Sequence, residues 1–230
     1  MTALAEARRG AIEPSVLIMA KAPRPGTVKT RLEPLLGPTG CAALHTALIG
    51  HTAALARQVA PVSTFLAFDP PDAAAEIRAL IPADVRLLPQ REGHLGVRLA
   101  AATEAVLTRR PGPLIVIGAD APTLTPEVVA RAAGSLDGHD VVFGPAVDGG
   151  YYLVGVRRPH PELFAIDPSL WSGPQVLAAS VAAATRAGLT VELLPPLRDL
   201  DTPEDAMVLR ADPMLPARIT ALLTPAGTRP

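Results

Sequence analysis

One cysteine, Cys41, is all that this chain of 230 residues contains. No internal disulfide can form, which fits a reducing cytoplasm. In "GCAALHTAL" Cys41 carries no catalytic signature around it and reads as a helix-face core residue. An excess of charge is missing as well. Lys and Arg number 21 against 22 Asp and Glu, for a formal net charge of −1. That balance provides no electrostatic footprint for nucleic acid or an acidic membrane surface. No apolar run approaches the length of a membrane span, and "MTALAEARRGAIEP" lacks the apolar stretch of a signal peptide. There is no Gly-x-Ser-x-Gly elbow and no internal repeat. The five histidines (His45, His51, His94, His139 and His160) stand at no metal-ligand spacing and read mostly as surface residues.

What is present is a chain of one-domain length with 49% hydrophobic residues, enough for a sizeable core. Its 26 prolines fall mostly between apolar segments, as loop punctuation. Strand-length apolar runs occur at 15–20, 62–68, 85–89, 113–119, 140–144, 151–156 and 190–195. Helical spacing marks 39–59, 72–80, 95–109, 126–136 and 174–187. Thr125 with Pro126, and Thr202 with Pro203 and Asp205, read as helix starts. The alternation predicts an α/β domain with a mostly parallel sheet flanked by helices. "DVVFGPAVDGGYYLVGV" joins two strands without a helix, a late antiparallel excursion. The domain is expected at 15–223, between tails at 1–14 and 224–230.

In such sheets ligands bind beyond the carboxyl ends of the strands. "KAPRPGTVKTRL" occupies that position after the first strand and gathers Lys21, Arg24, Lys29 and Arg31 around Gly26. Cations, backbone amides and the following helix start all favour phosphate there; the alternative is a solvated basic loop. It is not a Walker loop, because Val28 precedes Lys29 where glycine is required, and the G-x-G-x-x-G fingerprint is absent. Asp120 ends the most hydrophobic strand and is not needed as a cap, so it suits a Mg²⁺ or Mn²⁺ ion, against an Asx turn as the alternative. Asp199 and Asp201 alternate in an extended segment, so one faces such a metal while the other turns away. In "DGGYY", Gly149 and Gly150 either form a turn or let a ligand approach the backbone, with Asp148 beside it. Trp171 lines an acceptor pocket or pins its own loop.

"MAKAPRPGTVKTRL", "LGVRLAAA", "IGADAPTL", "GPAVDGGYYLVGV" and "DLDTPEDA" occur in this order. They resemble small bacterial glycosyltransferases, some associated with arsenosugar biosynthesis, within the nucleotide-diphospho-sugar transferase (GT-A) superfamily. The resemblance spans roughly residues 15 to 210. It implies a Rossmann-like nucleotide-binding sheet, a divalent metal (Mg²⁺ or Mn²⁺) on Asp120 and Asp201, and a basic loop around the nucleotide's phosphates. The implied activity is a metal-dependent transferase with a nucleotide-sugar donor and a small-molecule acceptor. Lys29 and Asp148 are its candidate catalytic residues, and Gly149, Gly150, Tyr151 and Trp171 its candidate substrate-binding residues. "KTRL" also resembles the K-[ST]-R-L of 2-phospholactate guanylyltransferases, so the alternative is a nucleotidyltransferase that takes an NTP and releases pyrophosphate. A non-catalytic nucleotide-binding module is the third reading. The chain departs from the family at Gly173, where Trp-Ser-Thr is usual, and at Val97, where a polar residue is common.

Overall fold

A computed structural model describes residues 13–224. Of the tails expected at 1–14 and 224–230, residues 1–12 and 225–230 lie outside the described residues. Among the described residues seven strands form one sheet: β1 (Ser15–Lys21), β2 (Thr64–Asp69), β3 (Arg86–Pro89), β4 (Leu114–Gly118), β5 (Val141–Pro145), β6 (Tyr151–Val156) and β7 (Val191–Leu193). Their order is β3-β2-β1-β4-β6-β5-β7. Neighbours are parallel except β6, which runs antiparallel to both β4 and β5. The expected excursion is therefore a strand inserted into the sheet, with a register shift at Gly144/Pro145 where the chain turns back. No described helix is long and apolar enough to cross a membrane.

Seven described α-helices accompany the sheet: α1 (Glu33–Val59), α2 (Ala74–Arg78), α3 (Leu95–Arg109), α4 (Pro126–Ser135), α5 (Val176–Arg186), α6 (Pro203–Arg210) and α7 (Ala217–Leu222). Side chains alternate across a strand, so Val16 and Ile18 face the layer of α1, α2 and α4, whereas Leu17 faces α3 and α5. All three are fully buried, each contributing about 1.5–3 kcal/mol by leaving water. The outer side of α1, with Cys41, Leu44 and Leu48, packs against Leu200, α6 and α7, which makes Cys41 the core residue its context suggests. Gly37 (φ 65°, ψ 167°) breaks the first turn of α1 before Pro38, so the regular helix begins near residue 39 as its spacing predicts. The helix expected at 72–80 shrinks to a 3-10 turn at Pro71–Ala73 and the short α2. Helix α7 shows too few residues to announce a period in the sequence.

Candidate functional site

Strand β1 ends at Lys21, and the chain crosses to α1 through the basic loop. Pro25 and Gly26 (φ 75°) form the centre of a turn that Thr27 closes by donating its N–H to Arg24 O (3.1 Å). A left-handed backbone in that place requires glycine, so Gly26 shapes the loop; it does not line the cleft described below. Val28 is buried as the anchor of the loop. Lys29 follows in a left-handed conformation (φ 51°) that non-glycine residues rarely adopt. This turns its side chain down into the sheet edge.

There the Lys29 ammonium lies 2.5 Å from Asp120 Oδ1 and 2.6 Å from Asp201 Oδ1, with its side chain only 4% exposed. Residues 172 apart in sequence meet because Leu200 donates its N–H to Asp120 O (2.8 Å), which fastens the 199–201 segment beside the end of β4. Beyond it Thr202 caps α6 with a full capping box to Asp205, and Arg198 Nη1 donates to Asp205 (2.8 Å). Asp201 is thus held on the side of Lys29, while Asp199 also reaches a separate pocket. Residues two apart share a face in a regular strand, so it is the bend at Leu200, not alternation, that parts the two.

Burial alone would push the Lys29 ammonium down, yet Asp120 and then Asp201 hold it above the usual lysine value. Burial would likewise raise Asp120, but Lys29, followed by His45, keeps its carboxyl below the usual range. Asp199 lacks such a cation. Burial, then the charges of Asp120 and Asp201, push it up to about 8. His45 corrects the surface reading of the histidines. It is 6% exposed on α1, its Nε2 lies 3.2 Å from Lys21 O, and its Nδ1 stands 4.0 Å from Asp120 Oδ1. Burial lowers its pKa and favours the neutral ring, with Asp120 offsetting part of that effect.

The "DGGYY" turn has a structural explanation for both glycines. Asp148 Oδ1 accepts the Gly150 N–H (2.9 Å) in an Asx turn, and a Cβ on Gly150 would stand 3.2 Å from that oxygen. Gly149 adopts φ 92°, and a Cβ there would lie 2.1 Å from Pro174 O. Gly149→Ala should therefore destabilise the fold by about 2–4 kcal/mol, read as the loss of denaturation midpoint. An unchanged midpoint would show that the Pro174 loop is not docked on the turn. Trp171 lies under that loop against Gly96 and the α3–α5 core, so it pins the loop and does not line the cleft. Its neighbour Ser172, at φ 74°, lines the cleft instead.

These parts enclose a cleft of about 460 Å³ at the carboxyl ends of β1 and β4, where the topology rule places it. The structure brings Lys21, Lys29, Arg31, Asp120, Asp148 and Asp201 together along it. Lys21 and Arg31 are exposed and make no ion pair among the described residues. Arg24 is not in the group. It turns away to Glu76 (2.6 Å) and Asp72 (3.2 Å) at the start of α2. Gly149, Gly150, Tyr151 and Trp171 also stand outside this lining, although Tyr151 borders an adjoining pocket. Sequence reading missed His45, Gln90, Arg98 and Ser172, all of which line the cleft. Gln90 had a signal, a polar residue directly after the short strand β3; it is buried, with its amide donating to Ala20 O and Ala67 O. A hollow of about 490 Å³ at the amino end of β5 is a weaker candidate, because Arg157, His139 and His160 there each already face a carboxylate.

The family described as "Uncharacterized protein conserved in bacteria (DUF2064)" matches residues 52–172. Among solved structures, a candidate nucleotide-diphospho-sugar transferase from Desulfovibrio desulfuricans G20 superposes with a TM-score of 0.83 at 30% identity, covering 92% of this chain and 94% of that one. A cytidylyltransferase from Leptospira borgpetersenii serovar Hardjo-bovis (strain JB197) superposes with a TM-score of 0.56 at 11% identity, covering 92% of each chain. CMP:2-keto-3-deoxy-manno-octonic acid synthetase complexed with CTP gives 0.53 at 15% identity, covering 87% of this chain and 98% of that one. At these last two identities the likeness is one of fold. No curated protein matches the sequence closely.

Proposed function

The chain belongs to the bacterial family DUF2064, and on that premise we propose that it is a metal-dependent transferase using a nucleotide-sugar donor and a small-molecule acceptor. The observation that carries the reading is the Lys29 ammonium held between Asp120 and Asp201 beside Lys21 and Arg31, which make no ion pair among the described residues. The designation of the Desulfovibrio relative supports a nucleotide sugar. We take residues 15–223 as the single domain that carries the activity.

The carboxylates fit a divalent ion. Their Oδ1 atoms already converge on one positive charge, and both are hard oxygen donors. Among the described residues no three His, Cys, Asp or Glu side chains form such a group. Two protein carboxylates suit Mg²⁺ or Mn²⁺ in a site completed by phosphate oxygens and water. Held by Asp120 and Asp201, such an ion would supply Lewis acidity to the donor.

Lys21, Arg31 and a Lys29 released from the carboxylates neutralise the phosphate chain and stabilise the departing nucleoside diphosphate. Asp148, with Oδ1 committed to its own turn, offers its other oxygen to the acceptor hydroxyl. In the transfer the acceptor oxygen bonds to the anomeric carbon as the bond from that carbon to the phosphate oxygen breaks. The electron pair leaves on the nucleoside diphosphate, and the acceptor proton passes to Asp148.

Nucleotidyl transfer from an NTP is the second reading, favoured by the number of cations along the loop, which also suits a triphosphate. The products separate the two. Enzyme with Mg²⁺ or Mn²⁺ and an acceptor panel should release nucleoside diphosphate from a nucleotide sugar, with the sugar on the acceptor. Acceptor-dependent pyrophosphate from an NTP, with nucleotide sugars inert, would overturn glycosyl transfer. Tight nucleotide binding without turnover would point to a binding module.

A further inference from the structure

Beyond the phosphate half of the cleft lies an annex of about 240 Å³ that shares Met19, Leu95 and Asp120 with it. It opens where β4 and β6 part above α3. Its walls are apolar, with Leu99, Val116 and Val154 among them, and they include no Lys, Arg or His. The contrast with the cleft, lined by Lys21, Lys29, Arg31 and Arg98, is complete. Four polar residues interrupt the apolar lining. Asp120 engages Lys29, Tyr152 Oη donates to Pro195 O (3.1 Å), and Tyr151 Oη faces the Ser180 hydroxyl. Asp199 Oδ1 is buried without a hydrogen-bond partner. Buried polar groups in a folded protein are rarely left so, and here a ligand's polar atom would satisfy it.

We propose that this annex holds the acceptor's body, and that it selects an uncharged or cationic acceptor with a compact apolar body and, besides the reacting hydroxyl directed to Asp148 in the cleft, a hydroxyl or amine hydrogen-bonded to Asp199, against carboxylated or phosphorylated acceptors. The transferred group rests on the reading above; the charge preference of the annex rests on its own lining. A carboxylate or phosphate placed there would lose its water between apolar walls, and the annex lining offers no Lys, Arg or His side chain to replace it. The volume matches about eight waters, which is room for a ring with a short side chain.

Benzyl alcohol, benzylamine and benzoate share one shape and differ in charge. In ligand-observed NMR titrations of the whole protein at neutral pH, benzoate should bind at least about 10-fold more weakly than the other two. Leu99→Phe, which fills the annex, should weaken the alcohol and the amine about 10-fold, with a melting curve reporting its fold. Leu95→Lys acts from a 41% exposed position at the mouth and should reverse the preference in favour of benzoate. Equal binding of the three probes to the wild-type protein would overturn the proposal. So would Leu95→Lys without a change of preference, or a folded Leu99→Phe that binds normally. Thermal shifts with nucleoside diphosphates and Mg²⁺, read on the same samples, keep the two readings apart. No nucleotide response with the charge preference intact would defeat the nucleotide reading alone, and the converse would defeat the annex alone.

Discussion

Asp120→Asn should lower metal-dependent transfer on the order of a thousandfold while leaving the melting temperature close to that of the wild-type protein. The loss follows from removing one of two carboxylates that share a single cation at the head of the phosphate cleft. The fold should survive because Lys29 keeps its hydrogen bond to Asp201 (2.6 Å), so no buried ammonium is left without a partner. Turnover measured across a Mg²⁺ and Mn²⁺ series decides the matter. If the Asn variant turns over normally with an unaltered metal requirement, Asp120 is not part of the machinery.

Lys29→Met should produce the largest change in stability, about 3–5 kcal/mol near neutral pH, because it leaves Asp120 and Asp201 facing each other with the buried Asp199 behind them. The pH dependence follows from the wild-type shifts. Burial opposes the ionised Asp120, but Lys29 outweighs it and holds the carboxyl low. Its contribution is therefore present above the unfolded carboxylate pKa and disappears as pH falls through the lower folded value. Burial likewise opposes the Lys29 ammonium, yet Asp120 and Asp201 raise it. Its share is present below the ordinary lysine value and disappears as pH rises through the higher folded one. At neutral pH both shares are intact, so the variant's deficit is full there. It should shrink as pH falls toward about 4, where carboxylates take up protons. Millimolar Mg²⁺ should also recover part of it by supplying the missing charge. Denaturant titrations at neutral and acidic pH, with and without Mg²⁺, test this; a deficit that ignores both pH and Mg²⁺ would mean that Lys29 acts by packing alone.

Much of the scaffold was legible because it depends on local rules. Alternation in "SVLIMA" places Val16 and Ile18 on one face and Leu17 on the other. The capping box at Thr202 and Asp205 stands where the residue pattern sets it. Position after a strand drew attention to Lys29 and Asp120, which the fold brings together at one cleft. The parting of Asp199 from Asp201 follows from the bend at Leu200, because alternation alone would put residues two apart on one face. What escaped was non-local. Nothing in "KAPRPG" reveals that Arg24 is claimed by Asp72 and Glu76 from another loop. The burial of His45 depends on how α1 seats against β1, and the role of Trp171 on its contact with Gly96. The insertion of β6 between β4 and β5 is a pairing choice that the two runs, each apolar throughout, do not encode.

The hydrogen bond from Leu200 N–H to Asp120 O has a temporal side. A chain emerging from the ribosome exposes β1 through β6 first, and with them most of the sheet. The partner carboxylate arrives only with residues 199–201, after β7. On the function proposed above, catalytic competence would therefore wait for this late segment, after which only α6 and α7 follow among the described residues. Until then the nascent domain holds the sheet and its basic loop without the second carboxylate.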